Sequence, residues 1–158
     1  MISITGATGH IGGEALRILR ESGVPVRALV RSEASAARVD ASEVAVADYT
    51  DPEALAAALH PGDQVFMVSM YMSHDERLGA HENFIAAAAA ADVAHIAYLS
   101  FINAAADAEF AHGTSHYETE KLIEASGVPF TFLRTSLYQA TVPLLYVNGL
   151  CAAPAGEG

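Results

Sequence analysis

Three glycines spaced three apart, Gly6, Gly9 and Gly12, follow a short apolar run at the start of the chain. Residues 1–5 read as a β-strand and residues 11–22 as an amphipathic helix, so the glycines fall where a strand turns directly into a helix. There each glycine has a physical task. Gly6 permits the tight turn, Gly9 lets a phosphate approach the backbone, and Gly12 lets the helix pack close to the sheet. The start of that helix offers unpaired N–H groups and the positive end of its dipole, which together favour an anion. Gly6, Thr8, Gly9, His10, Ile11 and Gly12 are therefore expected to bind the pyrophosphate of a dinucleotide.

Strand and helix patterns alternate beyond this point, as in a parallel sheet with helices on both faces. Strands are expected at residues 26–30, 44–47, 64–70, 95–100 and 130–134. Between them lie a short helical or loop segment at 32–39 and a helix at 52–59 behind the Asp51-Pro52 cap. A long helix follows from the Ser73/Glu76 capping box to about Ala91, and another spans 114–126, closed by Gly127. The alanine run at 86–91 reads as a helix packed close to a sheet rather than as low complexity. The expected class is a doubly wound α/β (Rossmann) sheet in the order 3-2-1-4-5-6, forming one nucleotide-binding domain over residues 1–158. Residues 136–158 carry the poorest signal: 144–151 reads as one more strand and 152–158 as a loop.

Charge and cysteine usage narrow the partners. The formal net charge of −11 over 158 residues argues against nucleic acid and against an anionic membrane surface. Cys151 is the only cysteine, so no internal disulfide forms and a reducing cytoplasm suits the chain. No leader pattern precedes the first strand, and the apolar stretch at 84–91, broken by Asp92, is too short to span a bilayer.

In a sheet of this class the second strand's end selects the dinucleotide. A carboxylate there would accept from a ribose 2′-hydroxyl, whereas this chain has Arg31-Ser32, with Arg38 beyond. A guanidinium suits a 2′-phosphate, so NADPH is favoured with NADH left open, although Glu33 weakens the local field. Asp48 is placed to meet an adenine amino group or to cap the next helix, and Tyr49 to cover the adenine ring. Ser69, Met70 and Ser100 end strands four and five, where ribose and nicotinamide would lie. Tyr71 and Tyr138 are the substrate-side candidates, with Met72 beside Tyr71 able to line a pocket for a flat aromatic molecule.

With the glycine loop, Val30-Arg31-Ser32, Ala47-Asp48-Tyr49, the segment Ile96 to Ser100 and above all His116 to Arg134 in view, the chain resembles a known family. It is similar to the NmrA-like branch of the atypical short-chain dehydrogenase/reductases, and within it to the type-2 NAD(P)H:quinone oxidoreductases. The resemblance covers residues 1 to about 138. It implies an NAD(P)H-dependent oxidoreductase passing hydride from NADPH to a small, quinone-like acceptor. It also implies a substrate-covering region beyond the last residues of this chain.

Tyr117 and Lys121 have the Tyr-x-x-x-Lys spacing of short-chain dehydrogenases, and four residues apart on a helix they share one face. The family register, anchored on Glu120, Gly127 and Pro129, instead puts the usual lysine position on His116 and the tyrosine position on His112. His116 is thus the leading candidate to orient cofactor or substrate, and Tyr117–Lys121 the lesser pair. His112 and His116 also have metal-pair spacing, but Gly113-Thr114 reads as a loop-to-helix junction and no third ligand matches, so no metal is expected. The alternative to an enzyme is a non-catalytic NAD(P)-binding redox sensor of NmrA type.

Overall fold

A computed structural model describes residues 1–70 and 72–138, together with the backbone of two short segments near the C-terminus. Six parallel strands form one sheet: β1 (Ile2–Thr5), β2 (Val26–Val30), β3 (Glu43–Val46), β4 (Gln64–Val68), β5 (His95–Phe101) and β6 (Phe130–Thr135). Their order is β3-β2-β1-β4-β5-β6, as the alternating pattern predicts. The connections are α1 (His10–Glu21), α2 (Glu33–Ala36), α3 (Pro52–Ala58), α4 (His74–Ala90) and α5 (Ala111–Ser126). Among the described residues no helix is long and apolar enough to cross a membrane.

Strand alternation divides the core in two. Val26, Ala28 and Val30 join Ile4 and Leu16 beneath α1. Leu29, Val65, Met67, Ile96 and Tyr98 point the other way, against Leu55, Phe84, Ile85, Ala88 and Ile123 of α3, α4 and α5. Ala80 and Ala88 are buried on α4, which is why that helix can carry an alanine run.

Local signals held at the well-defined caps. Asp51 accepts from the Ala54 N–H at 3.0 Å, Pro52 opens α3, and Gly127 ends α5 at φ +77°. Four expectations need correction. Ser73 precedes α4, but its hydroxyl donates to the Glu76 carboxylate at 2.5 Å and makes no cap to the backbone. β4 ends at Val68, leaving Ser69 and Met70 just beyond it. Helix α5 begins at Ala111, three residues before the predicted start, because Gly113 is helical rather than a breaker. A Cβ at Gly113 would lie 2.7 Å from Cβ of Ala108, so the glycine lets the helix start seat against the preceding loop. Finally, the single strand expected at 144–151 is two antiparallel pieces, β7 (Tyr146–Val147) and β8 (Leu150–Cys151).

Candidate functional site: a dinucleotide cleft across the switch point

Sheet order reverses between β1 and β4, and there the carboxyl ends of the strands open a cleft of about 850 Å³. The Thr5 hydroxyl ties the two strand ends together by accepting from the Val68 N–H at 2.8 Å. Gly6 turns the chain at φ +63°, with Cβ of Val68 3.2 Å from where its own side chain would begin. Gly9 is the N-cap of α1; the helix start has no side-chain cap and no acid in its first turn. Its unpaired N–H groups therefore face the cleft with no built-in acceptor. Gly12 has no room for a side chain: a Cβ would overlap the Gly6 carbonyl oxygen and sit 2.8 Å from that of Thr5. A loop this close to the helix, with an uncapped N-terminus and all six predicted residues lining the cleft, fits a pyrophosphate.

Arg31, at the end of β2, lines the same end of the cleft, is exposed, and forms no ion pair among the described residues. Ser32 is not its companion, since its hydroxyl caps α2 by accepting from the Ser35 N–H at 3.2 Å. Asp48 lines the cleft and accepts from the Thr50 N–H and hydroxyl at 2.9 and 2.6 Å, so the helix-cap alternative falls to Asp51. Tyr49, expected to cover the adenine ring, lines the cleft beside Asp48. Its ring is also buried and stacks on Phe84 at 4.6 Å, and burial raises its phenol pKa.

At the opposite end, Ser69, Met70, Ser100, His116 and Tyr138 all border the cleft. Ser100 donates to buried Glu120 at 2.6 Å, and that carboxylate is also gripped by Arg134 at 2.9 and 2.6 Å. His116 is buried, not a surface residue of the first turn. Its Nδ1 is 2.7 Å from the Tyr98 hydroxyl, and its ring stacks on Phe101. Burial first, then the Arg77 charge, pushes His116 down to about 4, while burial pushes Tyr98 up to about 12. Both are neutral at pH 7. Tyr117 and Lys121 stand off the cleft: Lys121 pairs with Glu124 at 2.6 Å on the exposed face of α5 and lies over the Tyr117 ring at 5.4 Å. Tyr71 lies outside the described residues.

One histidine named from the sequence, His112, and two polar groups that sequence reasoning passed over, Arg77 and His81, lie at or behind this end. His112, read above as part of a junction, is helical and lines the cleft four residues before His116. Arg77 reaches it from α4, NH1 to Nδ1 at 3.2 Å. His81, fully buried on α4, accepts from the Met70 N–H at Nε2 and so donates through Nδ1 to the Thr119 hydroxyl at 2.9 Å. This bridge fastens the turn after β4 to α5.

His81 also gives stability a pH dependence. Burial pushes it down to about 3, whereas an unfolded histidine titrates near 6.5. With the folded pKa lower, the unfolded chain binds more protons between those values. Stability is complete above pH 6.5 and declines as pH falls toward 4 for His116 and toward 3 for His81. Urea midpoints from pH 7.5 to 5 should fall faster for wild type than for His81→Gln, by up to about 1.4 kcal/mol per pH unit. Parallel curves would mean that His81 is not held neutral.

The chain belongs to the NAD(P)H-binding family, whose model matches residues 6–141. It is 35% identical over 167 residues to quinone oxidoreductase 2 of Escherichia coli K12, covering 100% of this chain and 57% of that protein. It is 33% identical over 165 residues to an NAD(P)H azoreductase of Xenophilus azovorans, again 100% of this chain and 57% of the relative. A crystal structure of the E. coli NADPH-dependent quinone oxidoreductase complexed with NADPH superposes with a TM-score of 0.80 at 35% identity, covering 92% of this chain and 53% of that one. The chain thus spans about half the length of the curated relatives it matches. The family read from the glycine loop and the His116–Arg134 segment is the family found.

Proposed function

We propose that the chain is the nucleotide-binding part of an NADPH-dependent oxidoreductase that reduces a quinone-like acceptor. The observation carrying this reading is a single cleft with an uncapped helix N-terminus and free Arg31 at one end and a neutral, buried histidine at the other. The E. coli quinone oxidoreductase, whose crystal structure is described as NADPH-dependent, and the NAD(P)H azoreductase support it. When bound, the nicotinamide supplies the hydride, so side chains need only bind, orient and exclude water. The N–H groups of α1 hold the pyrophosphate and Arg31 the 2′-phosphate. The Tyr98 hydroxyl engages Nδ1 of His116, which orients the ring and leaves Nε2 as the nitrogen able to meet an acceptor oxygen. Such a cofactor and a lone cysteine, Cys151, fit work in the cytoplasm.

A second reading, a non-catalytic NAD(P)-binding sensor, is favoured by one observation: Tyr117 and Lys121 stand off the cleft. Quinone-dependent NADPH oxidation separates the two. His116→Ala should lose about 1–3 kcal/mol of transition-state stabilisation, roughly five- to a hundred-fold in kcat/KM, read on protein whose circular dichroism shows it folded at the assay temperature. Tyr117→Phe and Lys121→Met should match wild type. Collapse in those two with His116→Ala unaffected would restore the dehydrogenase pair. NADPH binding without turnover in the parent would leave the sensor.

A further inference from the structure

Arg77 stands in the first turn of α4, 6% exposed, where it lines the acceptor end of the cleft. Its partners are all neutral. NH1 donates to Nδ1 of His112 at 3.2 Å, NH2 donates to the Met72 carbonyl at 2.8 Å, and the buried Nε–H has no partner among the described residues. In a chain with 19 acidic residues and 8 basic ones, this guanidinium joins no ion pair among the described residues. Glu120, the buried carboxylate of α5, is held by Ser100 and Arg134. A cation in a helix's first turn also meets the wrong end of the dipole. A buried, unpaired charge is among the costliest things a fold can keep.

The neighbours sharpen the polarity. A guanidinium only donates, so Nδ1 of His112 accepts and its proton sits on Nε2. His116 stands one turn further along α5, with its own Nδ1 engaged by the Tyr98 hydroxyl. Arg77 and His112 therefore gather charge and a donor at one end of the cleft, and the carboxylate whose charge reaches His116, Glu120, is already held by Ser100 and Arg134. The cofactor's phosphates have their own partners at the other end, in the α1 N-terminus and Arg31.

We propose that Arg77, assisted by His112, recognises an oxyanion substituent (carboxylate, sulfonate or phosphate) on a flat aromatic acceptor, so that anionic acceptors are selected over neutral ones. This rests on the quinone-acceptor reading above. It is tested by equilibrium dialysis of the NADP⁺-saturated protein against anthraquinone-2-sulfonate and neutral 2-(hydroxymethyl)anthraquinone. Wild type should bind the sulfonate at least tenfold more tightly. In Arg77→Met the preference should vanish, with affinity for the neutral ligand and for NADP⁺ within twofold of wild type. Arg77→Gln should behave alike and serves if the methionine variant does not fold. Equal wild-type affinities, or a preference surviving in both variants, would overturn the inference alone. Loss of NADP⁺ binding in a folded Arg77 variant would assign the guanidinium to the cofactor and overturn it too. Binding of neither anthraquinone would overturn the quinone reading and this inference together.

Discussion

Gly12→Ala is expected to abolish dinucleotide binding and to destabilise the chain by about 1–3 kcal/mol or more. The added methyl would collide with the Gly6 carbonyl oxygen and lie 2.8 Å from that of Thr5, both backbone atoms at the root of the cleft. Neither can swing aside as a side chain would. Relief requires α1 to move away from β1, which carries its N-terminal N–H groups out of place. Gly79→Ala is the matched control: nothing lies within 4 Å of its added Cβ in the middle of α4. There alanine should stabilise by about 0.5–1 kcal/mol and leave binding intact. NADPH titration with urea unfolding reads both effects. A Gly12→Ala protein that binds normally would mean the loop is not the phosphate site.

Asp63→Ala should produce the largest loss of stability with no change at the cleft. Arg27 and Asp63 have side chains only 6% and 3% exposed, and their ion pair sits at the amino ends of β1, β2 and β4, opposite the cleft. Asp63 also accepts from the Ser3 hydroxyl at 3.2 Å and the His60 N–H at 3.1 Å. Removing it leaves a buried guanidinium with half-exposed Glu43 as its remaining carboxylate. Breaking such a pair costs about 3–5 kcal/mol, whereas an apolar replacement of both partners is often nearly neutral. The double variant Arg27→Met, Asp63→Leu should therefore recover most of the urea midpoint that Asp63→Ala loses. A loss under about 1 kcal/mol for the single variant would show that water reaches Arg27.

What the residues disclosed in advance is what residue type alone encodes. Gly6 and Gly12 are legible because a positive φ and a missing Cβ leave a glycine in the sequence. The strand order follows from alternating strands and helices with a glycine loop after the first. Burial of polar residues is not encoded in that way. His116 and His81 look like any surface histidine until Tyr98 and Thr119 are brought to them from other elements. Arg77, within Ser73-His-Asp-Glu-Arg-Leu, reads as one charge of a solvated helix start, yet the packing of α4 on α5 buries it. Gly113 resembled a helix breaker because its contact with Ala108 is tertiary. The packing of Tyr49 on Phe84 is likewise tertiary and has no signature in the local sequence.

The most direct measurement is a fluorescence titration of the folded chain with NADPH and with NADH, repeated on Arg31→Glu. Saturable binding at one site is expected. NADPH should bind roughly ten- to a hundred-fold more tightly than NADH, the worth of a charge-assisted contact to the 2′-phosphate, and Arg31→Glu should erase that margin. No saturable binding of either nucleotide to the folded chain would contradict the assignment of the cleft.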